Sequence, residues 1–386
     1  MYSRTLSLSD LPRESCFLWG ARQTGKSTLL KETFTEAMYY DLLHSDVYRR
    51  LVSQPSLLRE EVLAHASAAA DSRPVVVIDE VQKVPDLLDE VHWMIENTAC
   101  RFVLCGSSAR KLRRGHANLL GGRAIRYELL PLTRREIPHF DLAHALVAGL
   151  LPRHYDSPDP TRLLQAYVAD YLREEIAAEA LTRNVPAFSR FLDTVGLTNG
   201  SVVNYQSVAS VCAISAPTVR EYYQILQDTL VGFEMPAFRR TGKRRVVSAP
   251  KWYLFDVGVA GYLARRGKVV PGSTEYGKAF EHFILMELRA HSIYSGLHYP
   301  IRYWRTSSGF EVDAVLGDAS VIVEIKSSET ITYRDLKGIR AFREEHHAGR
   351  AVVVSSVPAP RRTDDGIDIL PWQDFLTRLN AGQIIG

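Results

Sequence analysis

A phosphate-binding pattern lies near the N-terminus of this 386-residue chain, in "GARQTGKSTLL". It follows G-x-x-x-x-G-K-[ST], with the fixed positions filled by Gly20, Gly25, Lys26 and Ser27. An apolar run precedes it and a helix-like run follows, which is the strand-loop-helix context that the pattern requires. Backbone N–H groups would surround phosphates, Lys26 would reach the β and γ oxygens, and the Ser27 hydroxyl would coordinate Mg²⁺. We expect Gln23, Thr24 and Thr28 to line the same site. ATP and Mg²⁺ are the predicted ligands; the alternative is a glycine-rich turn that matches by chance.

Two adjacent carboxylates support the nucleotide interpretation. In "RPVVVIDEVQKVPDLL" the apolar residues 75–78 predict a buried strand that ends at Asp79 and Glu80. Asp79 is suited to hold Mg²⁺ through water, and Glu80 is suited to polarise the attacking water. Carboxylates at the end of a strand can also cap the following helix, and that alternative stays open.

Two further residues are candidates for sensing or stabilising the γ-phosphate. The predicted strand "RFVLCGSS" ends at Gly106, Ser107 and Ser108, and we assign the sensing role to Ser107. Arg123, just before another strand, is a candidate arginine finger acting on a neighbouring subunit's nucleotide. An arginine at such a position can equally be a surface salt-bridge partner.

A second reactive cluster lies near the C-terminus, in "FEVDAVLGDASVIVEIKSS". The pattern predicts two short strands joined by a Gly-Asp turn, with Asp313 on the first strand and Glu324 and Lys326 on one face of the second. Glu281, on the predicted amphipathic helix "EYGKAFEHFILMELRAHSIY", would complete the site. Glu281, Asp313 and Glu324 would hold Mg²⁺ or Mn²⁺ and Lys326 would orient or activate water, which suits phosphodiester hydrolysis. The alternative is a set of structural salt bridges with Lys326 or Arg305.

The middle of the chain has the pattern of a helical adaptor. Apolar residues recur on one face of "TRLLQAYVADYLREEIAAEALTR" from Leu163 to Ile176, which predicts a core-packing helix. Next come two short helices with Ser215 as N-cap and Pro217 in the first turn of the second, followed by a hairpin. Together they predict a winged helix. Its candidate DNA contacts are Arg220, Arg239, Arg240, Lys243, Arg244 and Arg245. Winged helices also serve as protein-protein adaptors, and a basic hairpin tip is often only solvated.

The composition of the chain does not indicate a function by itself, so the functional interpretation depends on the residue clusters. The chain is 46% hydrophobic and 24% charged with a net charge of +3, so nucleic-acid contact must come from local patches. Four scattered cysteines without metal-ligand spacing predict reduced, mostly buried thiols. We find no signal-peptide core and no membrane-spanning run, so we expect a cytoplasmic protein without membrane contact.

Several ordered motifs carry a family resemblance: the phosphate-binding pattern, "IDEVQKVPDLL", "FEHFILMEL" and "YWRTSSGFEVDAVL...VEIKSS". The chain resembles the bacterial and archaeal AAA-type ATPases fused to a C-terminal restriction-endonuclease-like domain. The resemblance implies an α/β multidomain protein with a RecA-like AAA+ core, a winged helix and a PD-(D/E)XK-type fold. It also implies assembly into a homo-oligomer, with Asp313, Glu324 and Lys326 on the nuclease motif and Glu281 as its helix acid.

These observations give a domain plan and three functional hypotheses. The plan places the AAA+ core at 1–138, a helical lid or linker at 139–195, the winged helix at 196–268 and the nuclease-like domain at 269–386. The first hypothesis is an ATP-hydrolysing, DNA-binding oligomer that cleaves DNA under nucleotide control. The second is a non-cleaving ATPase switch whose C-terminal fold is a docking module. The third is a transcription regulator that binds DNA through the winged helix.

Overall fold

The chain divides into two units in a computed structural model that describes residues 2–8, 14–68, 73–108, 120–176, 184–240 and 242–386. The first unit comprises Met1–Leu132, Leu151–Arg153 and Gln224–Val231. The second comprises Thr133–Leu150, His154–Tyr223 and Gly232–Gly386. Each unit is described separately below.

The first unit is built on a parallel sheet of five strands. In chain order they are β1 (Ser15–Trp19), β2 (Met38–Asp41), β3 (Val75–Asp79), β4 (Arg101–Gly106) and β5 (Ala124–Glu128). Across the sheet the order is β2-β3-β4-β1-β5, so β4 lies between β1 and β3. The helices among these strands are α1 (Lys26–Thr33), α2 (Ser45–Ser53), α3 (Ser56–Ala68) and α4 (Leu87–Asn97).

The apolar run of β3 explains why this strand is central. Val76, Val77 and Ile78 are fully buried, and branched side chains pack well on a pleated surface covered on both faces. Val76 and Ile78 join a core that includes Phe17 of β1 and Leu104 of β4. Because all five strands are parallel, their carboxyl ends meet at one edge, where a ligand site is expected in such sheets.

The second unit begins with a group of helices. They are α5 (Leu142–Ala148), α6 (Pro152–Tyr155), α7 (Pro160–Ala166), α8 (Val185–Leu197), α9 (Tyr205–Cys212) and α10 (Ala216–Asp228), with a π-helical stretch Tyr167–Glu175 after α7. Leu163, the first residue of the predicted apolar face, is partly exposed. The residues that follow it on this face, from Leu164 to Ile176, are buried. Parts of α6 and α10 belong to the first unit.

The predicted two-helix segment forms as expected. Ser215 caps α10, because its Oγ accepts a hydrogen bond of 3.2 Å from the Thr218 N–H. Two antiparallel strands follow, β6 (Gly232–Met235) and β7 (Lys251–Leu254). Next are the helices α11 (Val257–Leu263) and α12 (Thr274–Tyr294).

A six-stranded mixed sheet completes the second unit. Its strands are β8 (Ile301–Arg305), β9 (Glu311–Leu316), β10 (Val321–Ile325), β11 (Arg350–Ser355), β12 (Arg361–Arg362) and β13 (Ile367–Pro371), in the order β12-β13-β11-β10-β9-β8. The helices α13 (Lys337–Arg343) and α14 (Trp372–Asn380) lie within the same region. Trp304 and Phe342 are central to its core. The predicted hairpin is present, since β9 and β10 pair antiparallel around Gly317 and Asp318.

The segment between β6 and β7 differs from the free hairpin tip that we expected. Ala237 and Val246 form bridges to Tyr303 and Thr306, so this segment lies along β8. Backbone hydrogen bonds from the Phe238 N–H to the Tyr303 carbonyl and from the Val247 N–H to the Arg305 carbonyl hold it there. The reason is that β8 is the edge strand of its sheet, and its unpaired backbone groups gain partners.

Two expectations concern the whole chain. All four cysteines are unpaired and buried, as predicted. Among the residues that the structure describes, no helix combines the length and the apolar character needed to cross a bilayer.

Candidate functional site

The phosphate loop joins β1 to α1 at the carboxyl edge of the first sheet. Gly25, the N-cap of α1, has φ 94°, a left-handed conformation that favours glycine. At Gly20 an added Cβ would lie 2.6 Å from the Leu129 carbonyl oxygen, so only glycine fits this contact. The Thr24 hydroxyl donates 2.9 Å to the Ala21 carbonyl and closes the turn. The loop thus brings the backbone N–H groups of the α1 N-terminus to one place, as anion binding requires.

Lys26 is held inside this loop. Its side chain is buried, and Nζ donates to the Gly20 carbonyl at 2.9 Å and to the Ala21 carbonyl at 3.0 Å. An ammonium group has three donors, so one remains for a phosphate oxygen. Ser27 and Thr28 follow in the first turn of α1, where a hydroxyl can reach a cation bound to the phosphates.

Asp79 and Glu80 end β3 beside the loop, and both are held by neighbouring groups. The Tyr39 hydroxyl donates 2.8 Å to Asp79 Oδ2. Burial, reinforced by the charge of Asp79, raises the pKa of Tyr39, so Tyr39 stays a donor. Glu80 has φ 58°, a conformation that costs about 1 kcal/mol in a residue with a side chain. Gln82 Nε2 donates to Glu80 Oε2 and, at 3.3 Å, to Ser107 Oγ, so one amide bridges the predicted base and the predicted sensor.

For two arginines near the nucleotide site, the structure adds contacts that the main sequence prediction did not include. Arg123 forms an ion pair with Glu96 in which both side chains are more than 40% exposed, which matches the surface salt bridge considered as its alternative role. Arg4 was missed: its guanidinium donates 2.7 Å to the Thr24 carbonyl and 2.6 Å to the Leu130 carbonyl, and so supports the loop from behind. A lone arginine 20 residues before Thr24 gives no signal in the sequence.

The second cluster lies across β9 and β10. Ala314 pairs with Val323, so the preceding residue Asp313 and the following residue Glu324 are cross-strand neighbours, each 6% exposed. Lys326 lies one residue beyond β10, with Nζ 2.6 Å from Glu324 Oε1 and 3.8 Å from Asp313 Oδ2. The Ile325 N–H donates 2.8 Å to Asp313 Oδ2. The structure thus brings together Asp313, Glu324 and Lys326, three of the four residues that the sequence assigned to one site.

Glu281 lies nearby but is held by other partners. Its Oε1 accepts a 2.8 Å hydrogen bond from the Tyr253 hydroxyl and lies 3.6 Å from Lys251 Nζ. Lys251, 4% exposed, also lies 2.6 Å from Glu311 Oε1. Sequence reasoning missed Lys251, Tyr253 and Glu311. The alternation of Glu311 with Asp313 on β9 was a signal for the last, whereas Lys251 and Tyr253 come from β7, some 60 residues away from β9 in the chain.

Burial sets the protonation of this cluster. Burial and then the charge of Asp313 raise the pKa of Glu324 well above its usual value, although Lys326 opposes this. Burial likewise raises the pKa of Glu281, against the effect of Lys251. Burial alone would lower the pKa of Lys251, but the carboxylates of Glu281, Asp313 and Glu311 raise it. Both lysines therefore stay charged and neutralise much of the cluster.

The metal-ligand set Glu281, Asp313 and Glu324 is the part that the structure does not assemble. Within the described ranges, no three residues of His, Cys, Asp or Glu converge as a metal-binding group. The reason is that Lys251 and Tyr253 hold Glu281. Asp313 and Glu324 do fit a cation as a pair: Glu324 Oε2 is buried and has no hydrogen-bond partner among the residues that the structure describes. Mg²⁺ commonly takes one or two protein carboxylates and fills its other positions with water and phosphate oxygens.

The basic residues predicted to contact DNA from the winged helix differ in their exposure and in their partners. Arg244 is neutralised, because it pairs with Glu345 at 2.7 Å and with Glu344. Arg239 donates 2.5 Å to the Ser248 carbonyl, and Arg240 lies over the Phe238 ring. Lys243 and Arg245 are exposed, as is Arg220, whose guanidinium lies 5.0 Å from the Tyr205 ring centre.

Comparison with protein families divides the chain in three. Residues 12–138 match the family model of the AAA domain. These residues are an AAA-type P-loop ATPase domain. Residues 139–269 match a domain of unknown function, DUF8612, and residues 276–375 match another, DUF4143. The strand order of the AAA domain, with β4 between the phosphate-loop strand and the Asp79 strand, agrees with this assignment.

Among curated proteins, two uncharacterized proteins of Mycobacterium tuberculosis and Mycobacterium bovis are each 25% identical over 307 residues. The match covers 77% of this chain and 66% of each relative. Among solved structures, a Walker-type ATPase of Pyrococcus abyssi has a TM-score of 0.45 at 15% identity, over 66% of this chain and 92% of its own. The Aeropyrum pernix ORC1 protein in complex with DNA has a TM-score of 0.24 at 14% identity, over 66% of this chain and 87% of its own.

Proposed function

We propose that the AAA domain hydrolyses ATP and that its nucleotide state controls Mg²⁺-dependent cleavage of DNA at the C-terminal cluster. One observation carries the cleavage proposal: Asp313, Glu324 and Lys326 lie within contact distance, with Glu324 Oε2 buried and unpaired. A buried carboxylate oxygen without a donor is costly, and a cation would satisfy it. A bound Mg²⁺ would supply charge stabilisation to a phosphodiester.

In the AAA domain each residue has a defined role. The backbone N–H groups of the loop and Lys26 Nζ bind the phosphates, while Ser27 and Asp79 hold Mg²⁺. Tyr39 fixes the orientation of the Asp79 carboxylate through its hydrogen bond. Glu80 orients water, and the Gln82 amide keeps Glu80 and Ser107 at fixed positions relative to each other. Arg123 stays a candidate finger for a neighbouring subunit in a homo-oligomer.

At the C-terminal cluster the protein's own groups position the substrate. Asp313 is oriented by the Ile325 N–H, and Glu324 by Lys326. Lys326 can leave Glu324 to contact a water or a phosphate oxygen once a cation takes its place, since an ammonium group on a flexible stem makes such exchanges readily. The residues that we assign to this site are therefore Asp313, Glu324 and Lys326, with Lys251 and Glu281 in support.

A time course with supercoiled plasmid and a labelled single strand tests cleavage. Wild type, Lys26→Ala and Glu324→Gln are compared with Mg²⁺ or Mn²⁺, with and without ATP. We expect cutting by wild type, none by Glu324→Gln, and ATP-independent or absent cutting by Lys26→Ala. An uncut substrate with normal ATP hydrolysis would reject the nuclease assignment.

DNA contact has its own test. Arg220→Ala and Arg245→Ala remove exposed cations and are expected to weaken DNA binding and reduce its salt dependence. Arg244→Ala is the matched control in the same segment, because Glu344 and Glu345 already neutralise Arg244. Equal losses in all three variants would argue against contact through the exposed residues.

The second candidate function is an ATPase switch whose C-terminal fold only docks a partner. The observation that favours it is the internal neutralisation of the cluster by Lys251 and Lys326. It predicts that Glu324→Gln leaves every solution activity of the protein unchanged.

A further inference from the structure

A cavity of about 600 Å³ lies within the second unit, in the region that matches DUF8612. Its walls come from α5, α7, the π-helical stretch, α8, the end of α11 and the residues that follow α11. This volume is in the range of sites for small organic ligands. Neither the nucleotide loop nor the carboxylate cluster contributes a residue to it.

The cavity is positively charged. Three arginines line it, Arg173, Arg265 and Arg266, against a single carboxylate, Asp193. Asp193 Oδ1 is already engaged by Arg173 Nη2 at 2.7 Å. The lining therefore carries a formal excess of two positive charges. Low-dielectric walls strengthen the effect of such an excess on an anion that enters.

Two of these arginines have donors without acceptors. Arg173 Nε and Arg266 Nη1 are buried and have no hydrogen-bond partner among the described residues. Burial lowers the pKa of Arg266, with only the charge of Glu275 opposing it. Leaving a buried charged donor unsatisfied is costly, so each such group calls for an explanation.

Helix-terminal electrostatics explains only part of this arrangement. Arg265 and Arg266 follow the C-terminus of α11, where a positive charge is favourable. That effect accounts for Arg265, which is exposed and takes the left-handed φ of 49° that closes the helix. It does not explain why an Arg266 nitrogen is buried without an acceptor among the described residues, since a cation can interact with a helix end while it stays solvated.

The remaining wall is apolar. Leu146 and Leu164 are buried at the cavity, and Tyr262 adds a partly buried aromatic ring. An anion without an organic group would leave this surface uncovered. The lining thus combines cationic donors with an apolar and aromatic wall.

We propose that this cavity binds a small organic phosphate, with the phosphate at Arg266 and Arg173 and the organic group against Leu146, Leu164 and Tyr262. A phosphate monoester carries a charge of about −1.5 to −2 at neutral pH, which matches the excess charge of the lining. Guanidinium groups bind phosphate oxygens through paired hydrogen bonds, and Arg173 and Arg266 both line the cavity.

The test is a calorimetric titration of the full chain with phenyl phosphate. Mg-ADP is present at saturation, so that the phosphate loop is filled. Wild type is expected to bind one molecule, and Arg266→Gln to lose affinity by about tenfold or more, since a hydrogen bond to a charged group is worth about 1.5–3 kcal/mol. Arg162→Gln is the matched control, because Arg162 lies on α7 with its side chain 86% exposed. It should bind as wild type does.

Other ligands and a second variant separate the parts of the proposal. Inorganic phosphate and benzoate should each bind more weakly than phenyl phosphate, because each lacks one half of the ligand. Arg265→Gln, at an exposed position, should fold normally and weaken binding by a smaller factor. The proposal is overturned if phenyl phosphate gives no heat with wild type, if Arg266→Gln binds equally well, or if benzoate binds as tightly as the phosphate.

Discussion

The two reactive sites of this protein manage charge in opposite ways. The AAA site is an anion cradle made of backbone N–H groups and one side-chain cation, Lys26, whose local partners are neutral carbonyls. The C-terminal cluster contains buried carboxylates, which form ion pairs with the ammonium groups of Lys251 and Lys326. The first site is therefore ready for a charged ligand, whereas a cation entering the second must compete with two lysines. The predictions below test this contrast.

Lys26→Ala should have the largest effect. It removes the ammonium group that is held inside the loop, so ATP hydrolysis should fall by about a hundredfold or more, as for lost electrostatic stabilisation of a transition state. Steady-state phosphate release measures it. Lys31→Ala, on the same helix but exposed, should keep normal turnover. Comparable losses in both variants would mean that damage to α1, and not loss of the cation, is responsible.

Lys251→Met should have the second-largest effect. It leaves Glu281 and Glu311 without their ammonium partner, and breaking a buried ion pair costs about 3 kcal/mol. Chemical denaturation measures the free energy of unfolding. Lys243→Met, at an exposed site, is the control. Added Mn²⁺ should stabilise Lys251→Met more than wild type, since a cation can replace the lost charge. An unchanged stability would show that the carboxylates do not depend on Lys251.

Stability measured over a range of pH tests another buried carboxyl group of the C-terminal half. Burial, with a smaller contribution from Glu136, raises the pKa of Glu287 to about 8. The native state therefore holds a proton that the unfolded state releases near pH 4.5, so wild-type stability should fall as pH rises from about 4.5 to about 8. Glu287→Gln should remove this fall and be the more stable of the two proteins at pH 8. Parallel stability curves for the two proteins would contradict the raised pKa; Glu329→Gln, exposed, should follow wild type.

Glu324→Gln should have the smallest of these effects. It replaces the Glu324 carboxylate, which includes the unpaired Oε2, with a neutral amide. The affinity for Mn²⁺ should therefore fall by about tenfold. Electron paramagnetic resonance of free Mn²⁺ measures binding directly. Asp318→Asn, on the turn of the same hairpin and 82% exposed, should bind Mn²⁺ as wild type does. Equal affinities in all three proteins would place the cation elsewhere.

The conformation of the phosphate loop could be predicted because its groups lie in one segment of the chain. The loop from Gly20 to Ser27 is a single segment, and Asp79 ends a strand whose apolar run is unmistakable. The hairpin that brings Asp313 beside Glu324 was predictable for the same reason. Lys251 was not, because its contact with Glu311 depends on β7 reaching β9 through tertiary packing. Arg244 was misjudged because its partners, Glu344 and Glu345, lie 100 residues later.

The segment along β8 sets a limit on how this protein can be divided. A fragment beginning at residue 269 would lose Lys251 and so expose Glu281 and Glu311 to each other's charge. It would also lose the bridges from Ala237 and Val246, leaving β8 as an open edge available to other chains. Such a fragment should aggregate, whereas one beginning before β6 should stay monodisperse. The smallest piece suited to expression of the C-terminal sheet thus includes the β6 and β7 strands.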